Sequence, residues 1–238
     1  MHNFMNLIYK PMAKPDAIVQ FGPVRFSVLT PHLIRMEYDL SENFEDRPSQ
    51  VVWHREFPVP DFKKTINEER VIIETDDLIL RYEENDFGFH QDYLQITLKE
   101  NKLTWFYGQE NNTNLKGTLR TLDRVDGAVP LNPGLISRLG WAVIDDSESL
   151  VINNSGWIEP RNASSGSKDL YFFGYGKSYT ECIIDFQKLS GRVPILPRFA
   201  LGNWWSRYWA YQQDELLELM HDFIERDIPL SVCIVDMD

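Results

Sequence analysis

The chain has 238 residues, 43% hydrophobic and 25% charged, an ordinary globular composition with room for one large or two ordinary domains. Its formal net charge of −12 argues against non-specific nucleic-acid binding, which needs a basic patch, and favours a neutral partner such as a sugar. The N-terminus lacks the apolar core of a signal peptide and no run approaches membrane-spanning length.

Residues up to about 175 are β-rich. Short candidate strands at 18–21, 24–29 and 33–38 are broken by Gly22-Pro23 and by Thr30-Pro31-His32. In the third, alternation sends Leu33, Arg35 and Glu37 to one face and Ile34, Met36 and Tyr38 to the other. A further strand is expected at 51–57, closed by Pro58-Val59-Pro60. Two hairpins follow, 71–74 with 78–82 and 94–98 with 103–107, each joined by polar turn residues. Many short strands at close intervals predict a sandwich.

The segment 108–133 is polar and turn-rich, without a sustained apolar period. Long irregular segments inside a domain are usually functional or disordered. Strands resume at 140–144, 150–152 and 170–173, with a small-residue loop at 161–168 between the last two. A helix follows. Ser178 is the expected N-cap, Glu181 completes a capping box, and Gly191 is the expected C-cap. Its predicted buried stripe is Ile183, Ile184, Phe186 and Leu189, which leaves Glu181 and Asp185 as a cap and a solvent-facing carboxylate. With the segment 193–197 it reads as a link between domains.

The last stretch predicts strand, helix, strand: an apolar run at 199–205, a helix at 213–226 and a continuous apolar run at 230–235. Leu216, Leu217, Met220, Phe223 and Ile224 are spaced to line one helical face. With short joints this is a βαβ unit with parallel strands. Asp236 and Asp238 then fall just past the C-terminal end of the second strand, the edge at which parallel α/β folds bind ligands.

At these residues the chain resembles glycoside hydrolase family 31, whose members are α-glucosidases, α-xylosidases and relatives. The resemblance rests on three phrases in order: Pro-x-Leu-Pro-x-x-Ala-Leu-Gly at 194–202, Ser206-Arg207-Tyr208, and Asp236-Met237-Asp238. It extends upstream through LKGTLRTLDRVDG (115–127) and SRLGWAVIDDS (137–147), covering roughly residues 100 to 238. It implies a mainly β fold: an N-terminal, galactose-mutarotase-like β-sandwich over 1–177, a linker over 178–197, and the first βαβ of a (β/α)8 TIM barrel, incomplete, over 198–238.

The resemblance also implies roles. Asp236 would hydrogen-bond the sugar at the cleaved position, adding negative potential where an oxocarbenium-like transition state develops. Tyr208 would pack its ring on the same sugar. Met237 would line the pocket and Arg207 would pair with a barrel carboxylate. Asp238 would support the site. Trp204, Trp205 and Trp209 are expected in barrel core and rim. A sandwich loop would bring a carboxylate to the sugar, with Asp123 and Asp126 as candidates, although Asp126-Gly127 also reads as a plain turn. Glu181 and Asp185 form a carboxylate pair that capping explains better.

A retaining glycosidase needs two carboxyls roughly 5 Å apart. The resemblance assigns both to later barrel strands, so no catalytic residue is expected in this chain, and the chain alone is expected to be inactive. The five histidines show no metal-ligand spacing, and neither metal nor cofactor is expected. Cys182 and Cys233 lie in apolar contexts typical of free buried thiols, so no disulfide and a cytoplasmic location are expected. The expected partners are α-linked glucosides or other α-glycosides, with no nucleic acid or membrane, and a second copy through the open barrel edge. The function expected is retaining hydrolysis of terminal α-glycosidic bonds, α-glucosidase ahead of α-xylosidase. A non-catalytic carbohydrate-binding sandwich and a sugar mutarotase are the alternatives, and neither needs a buried parallel strand at 230–238.

Overall fold

The alternation expected of half-buried strands holds in one sheet of this molecule and is hidden in the other. In the computed structural model, which describes residues 8–117, 119 and 124–236, the chain divides into two units, Met1–Arg192 and Val193–Asp238. In chain order the first contains β1 (Ile18–Phe21), β2 (Val24–Thr30), β3 (Leu33–Tyr38), β4 (Lys63–Ile66), β5 (Arg70–Glu74), β6 (Leu78–Glu83), β7 (Leu94–Leu98) and β8 (Thr104–Phe106). It continues with β9 (Ala142–Asp145), β10 (Val151–Ile152), β11 (Ile158–Glu159), β12 (Lys168–Phe173) and helix α1 (Tyr179–Ser190). The second contains β13 (Trp204–Arg207), helix α2 (Gln213–Glu225) and β14 (Val232–Val235).

Unit 1 is a β-sandwich. Its first sheet has the order β1-β2-β3-β12-β9 and its second β4-β5-β6-β7-β8, with antiparallel pairing throughout both. Between them lies one core, with Phe26, Ile34, Met36 and Phe172 from the first sheet and Ile73, Leu80, Ile96 and Trp105 from the second. The other face of the second sheet meets solvent, so β6 and β7 alternate between buried and more exposed positions, as half-buried antiparallel strands do.

The first sheet is covered on both faces. Behind it Leu29, Leu33, Tyr171 and Phe173 pack with Val52, Phe57, Cys182 and Leu189. The cover is helix α1 and the segment 51–57. That segment was expected to be a strand and forms only an isolated bridge, between Lys10 and His54. Its amides are satisfied elsewhere: Trp53 and His54 both donate to the Leu189 carbonyl, at 3.0 and 2.9 Å, and Arg55 donates to Lys10. Apolar composition made it look like a strand, and what it does is close the sheet's back face.

Helix α1 also departs from expectation. Cys182, Asp185 and Leu189 are buried, whereas Ile183 and Ile184 are exposed. Asp185 turns inward because its Oδ2 accepts a 2.7 Å bond from the buried Tyr175 hydroxyl, while Oδ1 takes Lys188. Ser178 stands at the N-cap without a side-chain capping bond, so the expected box does not form there. Gly191 is the C-cap, at φ 94°. The helix therefore packs as part of the sandwich unit, not as a free link. Burial, then Asp185, pushes the Cys182 thiol up to about 12, and both cysteines are free.

The end of the back face away from α1 is charged. Arg35 grips Asp169 with two bonds of 2.7 and 2.8 Å and reaches Glu37 at 3.0 Å. Arg25 grips Glu37 with bonds of 2.7 and 2.9 Å, and Arg161 joins Asp169 to Asp146. Bidentate geometry of this kind satisfies planar charged groups that burial would otherwise penalise. Burial alone would raise the Asp169 carboxyl, but Arg35, with Arg55 and Arg161, outweighs it and holds Asp169 well below the usual carboxylate range. Beside the buried ring of Tyr171, the Arg55 Nε donates to the tyrosine hydroxyl oxygen at 2.6 Å. The predicted alternation in β3, with Arg35 and Glu37 on the Leu33 side, is what the sheet displays.

Candidate functional site

Unit 2 is small, and its residues are placed by a parallel strand pair. β13 and β14 pair in the register Trp204 with Val232 through Arg207 with Val235. The first strand lies later than the run at 199–205 suggested, because Arg198–Leu201 turns as a 3-10 helix between Pro197 and Gly202. Gly202 is needed there: a Cβ would fall 1.8 Å from the Ser231 hydroxyl. The Asn203 carbonyl then accepts the amides of Ser231 and Val232 at 2.9 and 3.3 Å, which starts the ladder.

Helix α2 connects the strands. At its start Glu215 accepts the Gln212 amide at 3.0 Å, half of a capping-box exchange. At its end Asp227 adopts φ 55°, and the Asp227 and Ile228 amides return to Ile224 and Phe223, the pattern of a Schellman motif with aspartate where glycine is usual. On the facing side Trp205 and Phe223 meet edge to face, centroids 5.3 Å apart.

This register decides the neighbourhood of the nominated residues. Arg207 lies opposite Val235, so Tyr208 and Asp236 are the next residues on two adjacent strands, leaving the pair at the same C-terminal edge. The Ser206 hydroxyl donates to the Asp236 carboxylate at 3.3 Å. Tyr208 is 65% exposed, its ring available to a ligand. Arg207 lies 4.3 Å over the Trp209 ring, a cation–π contact. The strand edge thus brings together a carboxylate, a phenol ring and a hydroxyl that orients the carboxylate. Ser206 was not singled out from the sequence, although it opens the Ser-Arg-Tyr phrase.

The sandwich candidates are less gathered. Asp126 is exposed in an irregular stretch, and Gly127 beside it has φ 83°, as a turn requires. Asp123, Met237 and Asp238 lie outside the described residues. Trp204 and Trp209 are about half exposed. A cleft of about 550 Å³ in unit 1 runs between 109–114, 133–135, β9 and Phe186, and none of the nominated residues lines it. Its asparagine amides are committed to the backbone: Asn111 donates to Trp141 at 2.6 Å, and Asn114 donates to Gly134 at 2.7 Å and accepts the Gly134 amide in return. That cleft is a loop anchor.

The sequence of unit 2 matches the model of the glycosyl hydrolases family 31 TIM-barrel domain, over residues 193–238. Residues 193–238 thus resemble the barrel domain of glycoside hydrolase family 31. Curated relatives extend the likeness upstream. An alpha-xylosidase of Saccharolobus solfataricus is 34% identical over 110 residues, 44% of this chain and 14% of that protein. Alpha-glucosidase 2 of Bacillus thermoamyloliquefaciens is 37% identical over 76 residues, 32% of this chain and 10% of that protein. The chain therefore spans a small part of the length of these relatives. Among solved structures, a family 31 alpha-xylosidase from a soil metagenome, complexed with xylose, superposes with a TM-score of 0.53 at 15% identity, covering 92% of this chain and 40% of that one. At that identity the likeness speaks for the fold. The family 31 relatives are glycoside hydrolases, and the strand-edge residues Ser206, Tyr208 and Asp236 all fall inside the matched segment.

Proposed function

We propose that this chain contributes substrate-binding residues to a retaining α-glycosidase that cleaves terminal α-glycosidic bonds without metal or cofactor. The observation that carries the reading is the parallel register that sets Tyr208 beside Asp236 at one strand edge, within the family segment. There the Tyr208 ring offers an apolar face to the C–H groups of a pyranose. The Asp236 carboxylate, oriented by Ser206, accepts sugar hydroxyls and favours positive charge developing at the anomeric carbon.

The nucleophile and acid would come from a carboxyl pair on later barrel strands, so this chain by itself would not hydrolyse. Either Asp123 or Asp126 would bring the sandwich carboxylate to the sugar, and Met237 would line the pocket. Relatives of both specificities match, and we favour a glucoside over a xyloside, with the choice resting on room for the C6 hydroxymethyl. Two free thiols support a reducing compartment, for which the cytoplasm is our assignment. The two-stranded sheet of unit 2 has open edges, and association of copies through them is a further expectation, read by light scattering.

The test is to lengthen the chain through a complete barrel and assay nitrophenyl α-glucoside and α-xyloside, with Asp236→Ala alongside. Activity on the glucoside that falls at least a hundredfold in the variant supports the reading. Activity that survives Asp236→Ala removes its role, and no activity on any α-glycoside removes the class.

A further inference from the structure

The face of the second sheet that meets solvent is not uniformly polar. Trp105 points into the core, so its neighbour Phe106 in β8 points out, 44% exposed, opposite Gln95 of β7. Next to it the turn between β6 and β7 presents a second aromatic group. Phe87 is 72% exposed and lies parallel to Tyr93, ring centroids 6.4 Å apart and planes 11° apart.

This turn is held, not loose. Asn85 accepts the Phe87 amide at 2.8 Å, and the His90 carbonyl accepts the amides of Tyr93 and Leu94 at 3.1 and 3.0 Å. Gly88 has φ 74° and sits against the Tyr38 ring, 2.7 Å from where a Cβ would lie. That tight turn sends Phe89 into the core and leaves Phe87 outside.

Between this turn and the end of β8 opens a cleft of about 460 Å³, lined by Gln91, Asp92, Phe106, Tyr107, Gly108 and Gln109. The size is within the range of roughly 300–1,000 Å³ common for small-molecule sites. The Gln109 amide oxygen accepts the Phe106 amide at 3.2 Å, while its nitrogen has no protein acceptor among the described residues. Exposed rings on a rigid sheet, flanked by planar amide and carboxylate groups, suit a ligand with apolar C–H faces and vicinal hydroxyls. A carbohydrate has both. A polyanion is disfavoured by the net charge of −12 and by Asp92 in the cleft wall.

We propose that this cleft and the Phe87–Tyr93 pair bind a neutral α-glucan chain, on residues other than Tyr208 and Asp236. The α linkage rests on the function proposed above; the carbohydrate class rests on the surface itself. Aromatic stacking and amide hydrogen bonds would hold a sugar run of the substrate on unit 1.

The test uses the 238-residue chain, labelled with nitrogen-15 and titrated with maltoheptaose, with cellohexaose as the comparison sugar. Maltoheptaose should give saturable amide shifts at 87–93 and 106–109, and Phe87→Ala with Phe106→Ala should weaken binding at least tenfold. Both rings are exposed, so an unchanged urea midpoint checks that the double variant folds. Absence of saturable shifts there, undiminished binding in the double variant, or equal binding of cellohexaose would each overturn the proposal. Shifts confined to the neighbourhood of Tyr208 and Asp236 would overturn it while supporting the strand-edge reading. Conversely, shifts at Phe106 with no α-glycosidase activity in the lengthened protein would uphold this surface and remove the other.

Discussion

The two sheets of the sandwich share a core and differ in what lies behind them. The second sheet has solvent on its far face, and its strands carry Arg81, Gln95 and Thr97 there, opposite Leu80, Ile96 and Leu98 inside. The first sheet has α1 and the segment 51–57 behind it, and β2, β3 and β12 are buried along almost their whole length. A polar group on the open sheet can be satisfied by water. On the covered sheet every one must find a protein partner, and Arg25, Arg35, Glu37 and Asp169 do so in one linked set.

That comparison can be broken most forcefully at the linked charges. Asp169→Ala would take from the buried Arg35 and Arg161 the carboxylate they share, leaving Arg35 with Glu37 and Arg161 with Asp146, and a loss of about 3 kcal/mol is expected in urea unfolding. Removing the surface pair Glu74–Lys99 of the second sheet should leave the midpoint nearly unchanged, because exposed pairs contribute little. A similar loss from both would mean that the covered face is not the special one.

A hydroxyl deletion asks the same question with less charge. Tyr171→Phe removes the oxygen that receives Arg55 and should cost about 1–3 kcal/mol, since the guanidinium stays buried. On the open sheet, Thr97 and Thr104 bond each other at 2.9 Å, and Thr104→Val should cost less than about 1 kcal/mol.

The pH dependence follows from Asp169. Its folded value is depressed, so its contribution to stability is present above its unfolded value of about 3.9 and lost as pH falls through the folded value. Unfolding free energy measured downward from pH 4 should therefore fall, and Asp169→Asn should flatten that part of the profile. A profile unchanged by the substitution would assign the acid sensitivity to other groups.

The gentlest test is chemical. Cys182, buried behind the first sheet with its thiol raised to about 12, should react with a thiol reagent only as fast as the unit opens. Cys233, half-buried in β14, should react first. Equal rates would mean that the cover of the first sheet opens readily.

Much of the second sheet was legible as pattern. Period-2 alternation at 71–74, 78–82 and 94–98 with polar turns between is a local signal, and the strands formed there. The covered sheet was legible in part: the division of β3 into an Arg35 face and an Ile34 face followed from alternation alone. The same rules misjudged 51–57, whose apolar residues cover a sheet without joining one, and α1, where a bond from Tyr175 to Asp185 turns the helix away from the isoleucine stripe. At the site, the phrases around Tyr208 and Asp236 could be read directly. The Phe106 and Phe87–Tyr93 surface could not, because it joins separate segments.

What the sequence by itself determined was local: strand period, turn chemistry, the βαβ order of the last stretch, and the family phrases within 193–238. Tertiary structure alone decided which polar groups are buried together, which face α1 hides, and that Tyr208 stands beside Asp236. The reason is physical. Propensity and periodicity act over a few bonds along the chain, whereas register, cover and ion pairing depend on residues far apart in sequence, such as Arg35 and Asp169, 134 positions apart.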